Sequence, residues 1–227
     1  MRRTALAALV LALATGCGGD PAPEASGIEG MEPAQALRAT HDAMRDLADV
    51  TYRGTTTVTG PAGPLAGNGE LVVTDDGTCQ SSFAHADRGS LVTRTVGNTV
   101  YVYADVAMMR GPLRYDAEKV AQLRGKWQAA PRPSSRSCDL AELLPDDARY
   151  EDFEAAGSGE VRGAAVRRFT GKDDDGSAMT VSVATQGPPL LLAVETERGG
   201  TSSFELVAHD SGAKVAAPPD ERIVNTS

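Results

Sequence analysis

From Val50 onward the chain is a succession of short β-branched segments in which apolar and polar residues alternate, each ended by glycine, asparagine or aspartate. Alternation at period two sends successive side chains to opposite faces of a strand, so each segment has one face to bury and must lie beside others like it. The pattern predicts strands at Val50–Thr59, Gly69–Thr74, Thr78–His85, Ser90–Val96 and Thr99–Ala104. A second run is expected at Arg149–Ala155, Ser158–Arg162, Ala164–Gly171, Ala178–Thr185, Leu190–Arg198 and Thr201–His209. Asp76-Gly77, Gly97-Asn98 and Gly199-Gly200 are tight-turn dipeptides. Strand following strand through such turns excludes a parallel βαβ arrangement and predicts an antiparallel meander.

Helical periodicity is confined to a few places. Leu37, Met44 and Leu47, with Ala36, Ala43 and Val50 beside them, form an apolar stripe through Pro33–Asp49, and Pro33 suits a first helical turn because it has no N–H to orphan. Asp116–Leu123 and Asp139–Leu144 read as short helices on either side of a loop at Ala129–Ser137. Helices this few must cover one face of the sheet, which makes the class α+β. His41 sits at the edge of the first stripe and reads as an ordinary helix residue.

The N-terminus carries a different signal. Arg2 and Arg3 precede an apolar run from Ala5 to Ala14 and the small residues Thr15 and Gly16, the order of a secretory signal peptide over residues 1–16. The run falls short of the roughly 20 residues that span a bilayer. Leu13-Ala14-Thr15-Gly16-Cys17 resembles the lipobox of bacterial lipoproteins, with alanine three residues before the cysteine where that pattern most often has leucine. The resemblance implies cleavage between Gly16 and Cys17, diacylglyceryl transfer to the Cys17 sulfur and acylation of the freed amine, with palmitate as a representative chain. One acyl chain binds a membrane with an association constant of only about 10⁴ M⁻¹, and two hold it stably. The mature protein is then expected on the outer face of the cytoplasmic membrane. The general secretory route is preferred to a twin-arginine one, because nothing around Arg2-Arg3 strengthens the latter.

Gly18–Met31 is rich in Gly, Pro, Ala, Ser and acidic residues, so residues 17–31 are expected to be an anchored flexible tether. A single domain over residues 32–221 and a short tail at 222–227 complete the expected organisation. The chain has three cysteines. With Cys17 given to lipid, Cys79 and Cys138 remain as a pair suited to a disulfide in an oxidising compartment; two free or metal-binding thiols are the alternative, but no C-x-x-C or spaced histidine pair completes a zinc set. The formal net charge of −9 becomes about −11 once Arg2 and Arg3 are removed, which excludes nucleic acid and anionic lipid as partners of the surface as a whole.

The order of elements carries a further resemblance. An amphipathic helix, hairpins ending in Val100-Tyr101-Val102-Tyr103, short helices around Trp127, and Val161-Arg162-Gly163 leading into Val166-Arg167-Arg168-Phe169 resemble the LppX/LprG-type lipoproteins of actinobacteria, which belong with the LolA/LolB-like carriers. Cys79 and the Cys138-Asp139-Leu140 turn are similar to streptomycete-like relatives. The resemblance covers Pro33 to Pro218 and implies a curved, half-barrel sheet wrapped around helices, with an apolar pocket that holds acyl chains. Candidate pocket residues are Leu37 and Met44 on the helix, and Val100, Val102, Met179, Val181, Val183, Phe204 and Leu206 on strand faces. The ligand expected is a lipid or lipoglycan.

Chemistry-bearing motifs are absent. The sequence has no G-x-S-x-G, H-E-x-x-H, phosphate-loop or Rossmann glycine pattern. Asp173-Asp174-Asp175-Gly176 fails as a calcium loop, since Gly171 and Ser182 fall where its first and last ligands belong, and it reads as a hairpin turn. Asn225-Thr226-Ser227 spells a glycosylation sequon at a chain end, and His85 and His209 lie at strand ends without an assignable nucleophile. These observations argue for a non-enzyme without cofactor or metal. A second reading is an anchored sensor or interaction module that meets a protein or cell-wall partner through the sheet's outer face or the loop bearing Arg132 and Arg136.

Overall fold

The computed structural model describes residues 27–133, 138, 144–145, 147–173, 175–197 and 200–225. Its strands are β1 (Asp49–Gly60), β2 (Gly63–Thr74), β3 (Cys79–His85), β4 (Gly89–Val96), β5 (Thr99–Ala104), β6 (Trp127–Pro131), β7 (Glu154–Val161), β8 (Ala164–Lys172), β9 (Ala178–Ala184), β10 (Leu191–Thr196), β11 (Ser202–His209) and β12 (Ile223–Asn225). The helices are α1 (Pro33–Arg45), α2 (Val106–Arg110) and α3 (Ala117–Leu123). All the strands join one curved, unclosed sheet in the order β12-β6-β5-β4-β3-β2-β1-β11-β10-β9-β8-β7. Two meanders, β1 to β6 and β7 to β11, are thus fused where β1 pairs with β11. The class is α+β, as the pattern predicts.

The helices pack on one face. Val50 and Tyr52 of β1, Val73 of β2, Phe169 of β8, Val181 and Val183 of β9 and Leu206 of β11 are buried with Ala36, Leu37 and Met44 of α1. The Tyr52 hydroxyl donates to the Leu191 carbonyl at 2.6 Å, and burial pushes its pKa up. A second cluster joins Phe83, Ala104, Met108, Met109, Val120 and Leu123, so α2 and α3 cover β3 to β5 on the same side. The Asp105 carboxylate caps α2 by accepting from the Met108 N–H at 2.8 Å, and it ties that helix to β4 by accepting from Ser90. Asp116 caps α3 in the same way.

Several elements differ from expectation, each for a local reason. Arg149–Ala155 is not a strand; Asp147–Asp152 forms a 3-10 turn, and β7 begins at Glu154, has a bulge between Ala155 and Ser158, and takes in the expected Ser158–Arg162 strand as far as Val161, Arg162 falling in the turn that follows. Tyr150 and Phe153 are both buried and stand three apart, which is the repeat of a 3-10 helix. Residues 129–131 continue β6 instead of opening a loop, with the Arg132 N–H donating to the Asn98 carbonyl. The expected tail contains β12, which pairs with β6 as the parallel exception in the sheet. Ile28, inside the stretch expected as tether, is fully buried, and Arg167 donates to the carbonyls of Ile28 at 2.8 Å and Met31 at 2.6 Å. Residues 139–143 of the expected second short helix lie outside the described residues, as do Gly16 and Cys17.

Candidate functional site

Cross-strand pairing places all the strand residues proposed for a pocket on the helix-bearing face. Met179, Val181 and Val183 oppose Gly171, Phe169 and Arg167, and Leu206 and Phe204 oppose Tyr52 and Gly54. Val100 and Val102 oppose Thr95 and Thr93, which continue the face of Cys79, Ser81 and Val73. Leu37, Met44, Met179, Val181, Val183 and Leu206 belong to the cluster under α1, with Phe204 packed against it. Val100 is buried and Val102 half-buried at the far end of the sheet, apart from that cluster.

Between the two buried clusters runs a row that sequence alternation did not single out. Phe204 of β11, Gly54 of β1, Gly69 of β2 and Phe83 of β3 are successive cross-strand partners on this face. Two strands therefore present no side chain where their neighbours present a phenylalanine. The Phe204 ring leans over the gap, since a Cβ on Gly69 would meet its Cζ at 2.7 Å, whereas the Phe83 ring lies over Gly67, two residues along β2, where a Cβ would meet its Cε2 at 2.6 Å. Phe204 belongs to the α1 cluster and Phe83 to the α2/α3 cluster, so the row is the seam where the two halves of the interior meet. The signal available in the sequence was Gly54 inside an expected strand and Gly69 at the start of the next, since glycine in a strand marks close approach, whereas Gly67 lies before the expected start of that strand.

Cys79 and Cys138 form a disulfide with their Cα atoms 5.4 Å apart, within the ordinary span of that bond. It fastens the segment after β6 to β3.

The opposite face carries an open cleft of about 910 Å³. Thr51, Arg53, Thr55, Asn68, Glu70, Ser82 and Ala84 line it from β1, β2 and β3, and Val207, Ala208 and Ser211 from β11 and the segment beyond. Arg53 Nε donates to Glu70 Oε2 at 2.6 Å. Arg162 reaches the cleft from the β7–β8 turn, which shows how far the sheet bends on this side. Next to the cleft, the chain after β11 crosses the sheet as a strap towards β12. Asp49, 1% exposed, holds the start of the strap by accepting from Ser211 Oγ at 2.6 Å and the Gly212 N–H at 2.8 Å. Further along, Arg94 donates to the Ala216 carbonyl at 3.2 Å while its guanidinium lies 4.8 Å from the centre of the Trp127 ring.

The histidines are engaged with near neighbours. His85 Nδ1 accepts from the Asp87 N–H, His209 pairs with Asp210, and His41 meets Tyr150 edge-on. Asp173 closes its turn by accepting from the N–H groups of Asp175 and Ser177. Among the described residues no group of three or more His, Cys, Asp or Glu is arranged to hold a metal, and no helix is long and apolar enough to cross a membrane.

No family model matches the chain, and no curated protein matches its sequence. Among solved structures, the Mycobacterium tuberculosis lipoprotein LppX is similar at 16% identity and a TM-score of 0.48, over 81% of this chain and 97% of that one. An uncharacterised conserved protein from Thermus thermophilus gives 10% identity and a TM-score of 0.47, over 85% and 98%. LprF from Mycobacterium bovis gives 12% and 0.45, over 83% and 99%. These are likenesses of chain course, at identities too low to transfer any residue's role.

Proposed function

We propose that this protein is exported, is anchored by acyl chains on Cys17 to the outer face of the cytoplasmic membrane, and binds a lipid or other apolar ligand between sheet and helices. The observation that carries the ligand reading is the Phe204-Gly54-Gly69-Phe83 row. The strip two strands wide carries no side chains and is filled by the half-buried Phe204 ring at the edge of the α1 cluster, so an apolar ligand would enter by displacing that ring. An acyl chain entering there exchanges bilayer for protein at little net cost, since each buried CH₂ contributes about 0.8 kcal/mol in either place. The pocket residues on the same face, Leu37, Met44, Met179, Val181, Val183 and Leu206, form the wall on the α1 side, and Val100 and Val102 lie beyond the α2/α3 side.

The protein starting at Gly18, produced in a lipid-containing host and weighed by native mass spectrometry, is expected to carry a stoichiometric lipid. Phe204→Trp, which enlarges the ring over the seam, is expected to lower that occupancy. A lipid-free mass that persists after incubation with membrane lipids overturns the carrier reading and leaves the anchored interaction module, for which the open cleft on the other face is the available surface.

A further inference from the structure

We propose that the cleft on the face opposite the helices binds an anionic saccharide, a phosphorylated or carboxylated sugar whose charged group pairs with Arg162. β7 and β8 are joined by the two residues Arg162 and Gly163, with φ of 51° and 83°. Positive φ at both positions defines the hairpin turn that favours Asn-Gly, Asp-Gly or Gly-Gly, and a long side chain at the first position is strained there. A strained residue that persists points to a use for its side chain. The Arg162 side chain is exposed, lines the cleft, and has no hydrogen bond or ion pair among the described residues. The cleft's other cation is occupied: Arg53 is paired with Glu70 and opposes Glu205 across the β1–β11 ladder. An incoming anion therefore meets one uncommitted guanidinium, a fork suited to phosphate or carboxylate.

The remaining lining selects for hydroxyl groups. Thr51, Thr55, Asn68 and Ser82 point into the cleft, and none of their side chains makes a hydrogen bond among the described residues. No aromatic ring is among the residues that line the floor. A volume of about 910 Å³ accommodates one to a few sugar rings, within the usual range of small-ligand sites. The net charge of −9 repels anions from the surface at large, so binding here depends on the local guanidinium. The site lies across the sheet from the lipid seam and stands independently of it.

The test titrates the mature chain with glucose 6-phosphate, glucuronate and glucose, and with phosphatidylinositol or phosphatidylcholine vesicles, following backbone amide signals by NMR. An anionic sugar is expected to shift Thr51, Thr55, Asn68 and Ser82 while glucose does not. A response to phosphatidylinositol vesicles but to neither free sugar acid assigns the anion to a lipid headgroup. Arg162→Asn, which suits the turn, is expected to keep or raise Tm and to weaken binding about tenfold or more, the loss of one charge-assisted pair. Phe204→Trp is expected to leave this binding unchanged, so failure of the lipid reading is scored separately. Equal response to glucose and the anionic sugars, equal response to both vesicles, wild-type affinity in Arg162→Asn, or no response to any probe overturns the proposal.

Discussion

Asp49 begins β1 with a carboxylate almost wholly removed from water. Burial raises its pKa, but the Ser211 hydroxyl and the backbone N–H groups of Ser211, Gly212 and Ala213 together outweigh that and hold it below the ordinary carboxylate value. Asp76 is lowered by the hydroxyls of Thr74 and Thr78, and Asp210 by the Ala48 N–H and then by His209. A folded pKa below the unfolded one contributes stability above the unfolded value and loses it as pH falls through the folded one. Urea denaturation is therefore expected to show constant stability at neutral pH and a decline below about pH 4. Asp49→Asn is expected to cost about 1–3 kcal/mol at pH 7, by weakening the hydrogen bonds its carboxylate accepts, and to flatten that decline. A variant with the wild-type acid profile contradicts the assignment. None of this was legible beforehand, because Asp49 meets its donors 162 to 164 residues away. Its sequence neighbours give no hint that an aspartate opening a strand is an anchor.

Among elements, the strands of β3, β4, β5 and β8 lie within a residue or two of the alternation that predicts them. The misread segments are those whose conformation depends on a distant neighbour. Residues 147–152 take the 3-10 form in which Tyr150 and Phe153 share one side, while Arg38 of α1 donates to Glu151 at 2.7 Å. β12 has three residues and gains its place by pairing with β6. Its removal is a clean test of the strap. Trp127, the single tryptophan, is buried on β6 beside Tyr103, with ring centroids 5.4 Å apart. Deleting Asp220–Ser227 is expected to lower Tm by about 2–4 °C, equivalent to about 1 kcal/mol, and to shift Trp127 emission to the red. An unchanged emission spectrum would mean that β12 does not shield that edge.

For the molecule as a whole, the disulfide matters more than any single contact, because Cys79 and Cys138 are 59 residues apart. Closing a loop of that length is worth roughly 4 kcal/mol in the chain-entropy account. Reduction, or a Cys79→Ser and Cys138→Ser double variant, is expected to lower Tm by roughly 10 °C in a chain of this size. A shift under about 2 °C would show that the packing of α2 and α3 already holds this half of the sheet together. The two faces of the sheet divide the functional proposals between them. The helix-bearing face holds the apolar seam and the other face the polar cleft, one backbone layer apart at Gly54 and Gly69, which take part in both.

The α+β class, the facing of most strand residues and most strand boundaries are legible in the chain's local pattern, and the disulfide between Cys79 and Cys138 is its preferred reading, which the structure bears out. Period-two alternation and turn chemistry are local, and the cysteine count favours the pair once Cys17 is set aside for lipid. Four features depend on the assembled sheet: β1 and β11 fuse the two meanders, glycines meet phenylalanines in one cross-strand row, Arg162 faces strands far from its own, and Asp49 secures the strap. Each of these is a contact between residues remote in sequence, fixed by the register and curvature of the complete sheet. Local pattern carries no information about register between segments that no tight turn connects.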